Sequence, residues 1–264
     1  MYALKKGNQK RTVDDFKNPD GLPKLFGGRD AFSMAVYRDE DRQLNYNKLV
    51  QIFYTAATTA DPQGMHLLFN DIAREGRLLR LFTQNVDGLE LRCTHLYTQT
   101  PLRASKPWPN VVQLHGSLHW MECISCHYLC QIDISLFSGT HPPACPLCQV
   151  RITEAVERGS RSTTPGILRP RILLYDDTQE WDTESIAAVV KHDLKSKPDV
   201  LLVAGTALKV PGAVEIVRKC MEAVRKSGGR TIWISKERPN AKVKDGWDHE
   251  IRGSCEKFAL AMAG

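Results

Sequence analysis

The sequence predicts an α/β fold: a parallel sheet with helices on both faces, carrying a small metal module. Two observations predict it. Short apolar runs alternate with helix-length segments through the second half of the chain, the strand-helix-strand order that builds a parallel sheet. Two Cys-x-x-Cys pairs, Cys123/Cys126 and Cys145/Cys148, stand eighteen residues apart, a spacing that closes a tetrahedral four-thiolate zinc site.

The elements follow in order. Residues 1–30 are polar and punctuated by Gly and Pro, and Gly27-Gly28 reads as a turn. Residues 45–58 read as a helix with Leu49, Ile52 and Phe53 on one face. Asp61 is placed to cap a second helix and Pro62 to open it, with Met65, Leu68, Phe69 and Ile72 at i, i+3, i+4 and i+7 and Gly76 as the stop. Leu78–Thr83 is a buried-strand run, and residues 98–110 are a Pro-rich loop. Residues 119–158 hold the cysteines. Arg171–Tyr175 is a strand candidate, 182–196 a helix, and Asp199–Ala204 a strand ending at Gly205. Pro211 opens a helix to about Ser227, and Arg230–Ser235 is the next strand.

Bulk properties bound the function. A chain of 264 residues has room for one large domain and a small one, and 42% apolar residues support a core. A net charge of +6 suits an anionic partner but is too mild to predict direct nucleic-acid binding. No apolar run reaches the length that crosses a membrane, and no signal-peptide core is expected at the start. Eight cysteines in this setting read as metal ligands and free thiols in a reducing compartment.

A closed four-cysteine site has no open coordination position, so its zinc holds structure and does no chemistry. Cys130 and His127 are near enough in sequence to be alternative ligands; Cys93, Cys220 and Cys255, with Cys130, otherwise read as small buried hydrophobes. Thr83-Gln84-Asn85-Val86-Asp87-Gly88 follows a strand, where open parallel sheets bind ligands, though Asn, Asp and Gly suit a plain turn equally. Gly205-Thr206-Ala207-Leu208 lies between a strand and a helix, where glycine lets the backbone approach a phosphate; such turns also occur without ligands. There is no Walker pattern and no Gly-x-Gly-x-x-Gly. A lone histidine is more often structural than catalytic, but His115 sits in Gln-Leu-His-Gly, eight residues before the first cysteine.

Taken together, Thr83–Asp87, His115-Gly116, the four cysteines and Gly205-Thr206 through Val210-Pro211 resemble the sirtuins, NAD-dependent protein-lysine deacylases. The resemblance runs from about Asp15 to Cys255. Leu168–Tyr175 and Gly205–Gly212 look most like the fungal branch that deacetylates core histones. It implies a Rossmann-like NAD-binding domain over 1–118 and 159–264, with a helical insert at about 31–76, and a zinc module over 119–158. It further implies NAD and Zn2+ as cofactors, an acetylated protein lysine (a histone tail or core) as partner, no membrane, and a nuclear location.

Residue by residue, the resemblance makes His115 the general base toward a ribose hydroxyl. Asn85 and Asp87 would sit in the nicotinamide pocket and Gln84 against the ribose. Gly205 and Thr206 would meet the phosphates, Ser235 the adenosine ribose, and the Cys255 backbone the adenine. Leu173 and Tyr175 would line the acyl-lysine tunnel, with the substrate pairing beside them as an added strand. Asp15, Phe16 and Lys17 match the end of the family's opening cofactor-binding block.

Three departures qualify this. Val13-Asp14-Asp15-Phe16-Lys17 matches that block, but Met1–Thr12 is expected to contain neither the first strand nor the Gly-Ala-Gly loop that precede it in the family. A missing central strand would leave a slot in the sheet, and weak NAD binding is the expectation. Asp176-Asp177 replaces Gly-Glu, which is expected to crowd the substrate strand. Ala207 replaces a serine. The rival readings are a non-catalytic relative serving as a binding module, a fragment of an active enzyme, and a plain zinc-binding interaction module.

Overall fold

The computed structural model describes residues 4–6, 9–11, 28–161, 163–177 and 181–263. The stretch Val13–Leu22, with the candidate cofactor residues Asp15, Phe16 and Lys17, lies outside the described residues.

In chain order, β1 (Leu4–Lys6) and β2 (Gln9–Arg11) pair antiparallel, and two 3-10 turns, Gly28–Phe32 and Met34–Arg38, precede α1 (Glu40–Thr59). There follow α2 (Gly64–Arg74), β3 (Leu81–Thr83), β4 (Val111–Gln113), β5 (Gly116–Cys123), β6 (Leu129–Gln131), α3 (Pro146–Glu157) and β7 (Leu168–Ile172). The chain continues with α4 (Thr183–Lys195), β8 (Val200–Ala204), α5 (Pro211–Lys226), β9 (Arg230–Ser235), β10 (His249–Arg252) and α6 (Cys255–Ala263). These elements divide into two compact units. One comprises Met1–Ala60, Asn85–Gly88 and His115–Glu180; the other comprises Asp61–Gln84, Leu89–Leu114 and Trp181–Gly264.

The first unit is built on α1 and an antiparallel sheet of order β6-β5-β7. Asp39 starts α1 by accepting a hydrogen bond from the Arg42 N–H, and Glu40 and Asp41 place negative charge at its positive end. Tyr46, Leu49, Val50, Phe53, Ala56 and Ala57 recur at helical spacing, and all are buried. Tyr46, Leu49, Val50 and Phe53 pack with Leu118, Met121, Ile132, Phe137, Leu168, Ile172 and Leu174 into one core. Two amides on the same helix reach across: Asn47 donates to the Gly139 carbonyl and Gln51 to that of Phe137, which anchors an irregular segment of the metal module.

The second unit holds two parallel ladders, β3–β4 and β10–β9–β8. β8 and β9 pair from Val200↔Arg230 to Ala204↔Ile234, and α5 covers them with Ala213, Val214, Met221 and Val224. Trp233, fully buried, packs with Val203, Leu208 and Val243. Arg80 grips Asp193 of α4 through two hydrogen bonds of 2.7 and 2.9 Å and also donates to the Pro109 carbonyl, tying the start of β3 to the helix.

Several expectations are corrected. Met1–Thr12 does contain strands, β1 and β2, but they form a hairpin of their own; among the described residues the two ladders of the second unit are not joined into one sheet. The second helix begins at Gly64, not after Asp61. Gln63 is its cap, the His66 ring receives the Gln63 N–H, and Glu256 of α6 receives that of Gly64. The strand expected at Arg171–Tyr175 spans Leu168–Ile172, with Tyr175 joined separately by a bridge to Ser33. Gly27 lies outside the described residues, and Gly28 opens a 3-10 turn.

Candidate active site and metal centre

The metal centre has four candidate ligands already gathered into one cluster. β5 ends at Cys123, a tight turn brings Cys126 back beside it, and Cys145 caps α3, whose first turn carries Cys148. The four Sγ atoms lie within 4.8 Å of one another, with Cys123 3.7 Å from Cys148 and Cys126 3.7 Å from Cys145. A tetrahedron with Zn–S bonds of about 2.3 Å has edges of about 3.8 Å, so the cluster suits Zn2+. The backbone N–H groups of Ser125 and Cys126 point at the Cys123 sulfur, 3.4 Å away, and would stabilise a thiolate there.

The alternative ligands lie apart from this cluster. Cys130 approaches the Met121 carbonyl instead, and the His127 ring contacts Glu122 at 3.0 Å. Cys93, Cys130, Cys220 and Cys255 are free thiols; burial raises all four, Cys220 to about 11.

His115, half-buried, occupies the tight turn between β4 and β5. Gly116 follows it at φ +80°, and a Cβ at Gly116 would come within 2.0 Å of the Arg171 carbonyl oxygen. The glycine of Gln-Leu-His-Gly is thus demanded by the close approach of β7. Asn85–Gly88 belongs to the same unit because β5 clips it: the Leu118 N–H donates to the Val86 carbonyl, and the His119 ring meets that of Asp87 at 2.8 Å. Asp87 is buried and Asn85 half-buried. His119 had no signal in the sequence, since its role depends on a partner 32 residues away.

The segment beyond β7 is held by the same turn. The Leu173 N–H donates to the His115 carbonyl at 2.9 Å, the Tyr175 N–H to Phe32, and the Met34 N–H back to Tyr175. Leu173 and Tyr175 are 43% and 47% exposed, while Leu174 between them is buried. By strand alternation the Leu174 N–H and C=O point to the opposite edge from those of Leu173 and Tyr175. Asp176 takes up a left-handed conformation, φ +61°, which Asp tolerates better than most residues, so the backbone geometry open to glycine is kept here.

The remaining candidates lie in the second unit. Gly205 closes β8 at φ +65° and donates its N–H to the Ile234 carbonyl. The Cys255 thiol points at the same carbonyl, 3.4 Å away. The Thr206 hydroxyl donates to the Gln84 side-chain oxygen at 3.1 Å and accepts from the Leu208 N–H. Val210 caps α5 without a side-chain hydrogen bond, and Pro211 starts it, so the cap residue itself leaves the positive end of this helix uncovered. Ser235, buried at the end of β9, accepts from the Glu237 N–H. Gln84, Gly205, Thr206, Ser235 and Cys255 therefore group around the C-terminal ends of parallel strands in this unit, the end where such sheets take their ligands.

Comparison with known proteins bears on the family and the fold. The model of the Sir2 family matches residues 11–212. The NAD-dependent protein deacetylase hst4 of Emericella nidulans is 36% identical over 257 residues, covering 94% of this chain and 43% of the relative. Its namesake in Schizosaccharomyces pombe is 34% identical, covering 92% of this chain and 60% of the relative. The NAD-dependent histone deacetylase HST4 of Saccharomyces cerevisiae is 34% identical, covering 92% and 69%. The chain thus spans about half the length of the first two. Among solved structures, a Sir2 homologue in complex with NAD superposes with a TM-score of 0.63 at 20% identity, covering 89% of this chain and 75% of that one. Sir2Tm bound to a propionylated peptide superposes at 0.64 and 17%, covering 95% and 87%. These likenesses show the fold.

Proposed function

The chain belongs to the Sir2 family, and from that premise we propose that it is an NAD-dependent protein deacetylase acting on acetylated histone lysines in the nucleus. The observation that carries the reading is the backbone bond from Leu173 to His115. It ties the segment proposed to bind acyl-lysine to the turn that holds the proposed base. The histone assignment draws on the two Saccharomyces cerevisiae relatives named histone deacetylases, HST4 and HST3.

NAD, when bound, would supply an electrophilic anomeric carbon with nicotinamide as its leaving group. The residues of this chain do the rest. His115 accepts a proton from a ribose hydroxyl, a task that suits a group titrating near neutral pH. Asn85 and Asp87 line the nicotinamide end, and Gln84 faces the ribose. Gly205 and Thr206, with the N–H groups at the start of α5, would hold phosphate oxygens. Ser235 faces the adenosine ribose, and the backbone at Cys255 lies against adenine. Leu173 and Tyr175 flank the acyl-lysine, whose peptide pairs as an added strand. A zinc held by Cys123, Cys126, Cys145 and Cys148 would have no open position, so it would support β5 and β7 and take no part in the chemistry.

The test uses the full chain with NAD and an acetylated histone peptide, following deacetylated peptide by mass. NAD-dependent turnover is expected. His115→Ala should lower it by roughly 10²–10⁴-fold with zinc content unchanged. A wild-type chain that binds acetyl-peptide and never deacetylates it would replace this reading with the non-catalytic one.

A further inference from the structure

Arg169 and Asp177 form an ion pair of 2.7 Å in which both side chains are only 1% exposed. Arg169 stands near the start of β7, and Asp177 is the second residue past Tyr175. The strand between them is bent back on itself by Asp176 in its left-handed conformation, which carries Asp177 down to Arg169. The Arg169 guanidinium also donates to the Met34 sulfur at 2.9 Å. Met34 in turn donates its N–H to the Tyr175 carbonyl, and Phe32 receives the Tyr175 N–H. A closed circuit results: Arg169 to Asp177, Asp177 through Asp176 to Tyr175, Tyr175 to Met34, and Met34 back to Arg169. Tyr46, buried, and Tyr37, half-buried, stand edge-on to each other at 5.7 Å, close enough to feel the charges of the pair.

A charge pair so deeply buried is a costly way to gain stability, because desolvation offsets much of the attraction. Its geometric effect is specific, however. A strand whose register is off by one residue turns every side chain to the other face. The circuit sets the register of Leu173–Tyr175 from both ends, and so decides that Leu173 and Tyr175 face out while Leu174 faces in. We propose that Asp177, acting through Arg169, is the positioning residue that holds the Leu173–Tyr175 strand in register for an extended acyl-lysine peptide. This rests on the deacetylase reading above and adds to it the device that orders the peptide-binding edge.

The experiment measures steady-state kinetics of the full chain and its variants, with acetylated histone peptide and NAD varied separately, together with melting temperature and zinc content. Asp177→Asn should raise the peptide KM roughly tenfold, equivalent to about 1.4 kcal/mol, while the KM for NAD moves little. Asp177→Glu, which keeps the charge, should restore most of it. Because Asp177→Asn removes the carboxylate charge facing buried Arg169 and can unfold the chain, the decisive variant is Arg169→Met with Asp177→Leu. Apolar replacements of a buried pair often keep stability. This double variant should melt like wild type yet keep the raised peptide KM. Recovery of both stability and peptide KM in the double variant would overturn the proposal, leaving the pair a purely structural one. Should the wild type show no deacetylation, the deacetylase reading fails by itself, and the dissociation constant of a fluorescent acetyl-lysine peptide judges the pair instead. An unchanged constant in the double variant, or no peptide binding by the wild type, would also overturn it.

Discussion

His66 and Gly116 show how single positions answer to their surroundings. His66 is buried at the start of α2, and burial pushes its pKa down to about 4 from an ordinary value of about 6.5. Its Nδ1 receives the Gln63 N–H, which requires that nitrogen to be unprotonated. Because the folded pKa lies below the unfolded one, the unfolded chain takes up the proton first as pH falls. The stabilisation is complete above about pH 6.5 and is lost between there and about pH 4, amounting to on the order of 3 kcal/mol. Urea midpoints measured across that window should fall for the wild type and fall much less for His66→Gln, whose amide oxygen can still receive the cap. Parallel curves would assign the acid sensitivity to other groups. Gly116→Ala should cost about 2–4 kcal/mol, since it adds left-handed strain and a clash with the Arg171 carbonyl, read as a lower urea midpoint. The pair Arg80 and Asp193, 10% and 7% exposed, makes a third case. Asp193→Ala strands a buried guanidinium and should cost about 3–5 kcal/mol by the same measurement.

At the scale of elements, β5 and β7 carry the first unit. β7 pairs with Cys123 at Leu168 and with Gly116 at Ile172, so one five-residue strand runs from the metal centre to the turn of His115. Gly166, just before it, would set a Cβ 2.6 Å from the Cys123 sulfur, so the chain enters β7 pressed against the metal cluster. Cys145→Ser should therefore release zinc, measured by elemental analysis, and loosen β7, because a structural zinc contributes folding energy directly. Full zinc content in this variant would require a ligand set other than the four cysteines. The same elements explain what could be read in advance. The cysteine pairs and the strands Val200–Ala204 and Arg230–Ser235 were legible, since each is written in local spacing or in one apolar run. β4, β10 and α6 were not. β4 and β10 have three and four residues, too few to show a period, and β10 is exposed along its length. The cap of α2 comes from Gln63, His66 and a Glu256 side chain 192 residues away from Gly64, so Asp61 and Pro62 misled by matching a local rule that distant residues overrode. The candidate site was legible as motifs at strand ends, while His119 and the pair of Arg169 with Asp177 depend on contacts that only the fold makes.

For the molecule as a whole, each unit carries its own core. That of the first gathers α1 residues such as Leu49 and Phe53 with Leu118, Leu168 and three of the proposed zinc ligands, Cys123, Cys145 and Cys148. The second has separate clusters around Trp233, Val111 and Val189, with no metal-ligand cysteine among them. Zinc loss strikes the first kind of core directly, since four closely set sulfurs without their metal repel as thiolates or must take up protons. The strands of the second unit keep their ladder bonds and the burial of Trp233, which owe nothing to the metal. Amide hydrogen exchange on the full chain, before and after treatment with a strong chelator, separates these contributions. The amides of β5 and β7 should lose protection first and by the larger factor, while those of β8 and β9 keep most of theirs, as expected of regions that open at different free energies. Equal loss along β5, β7, β8 and β9 would mean that the zinc supports a single cooperative core, and the division of stability argued here would be wrong.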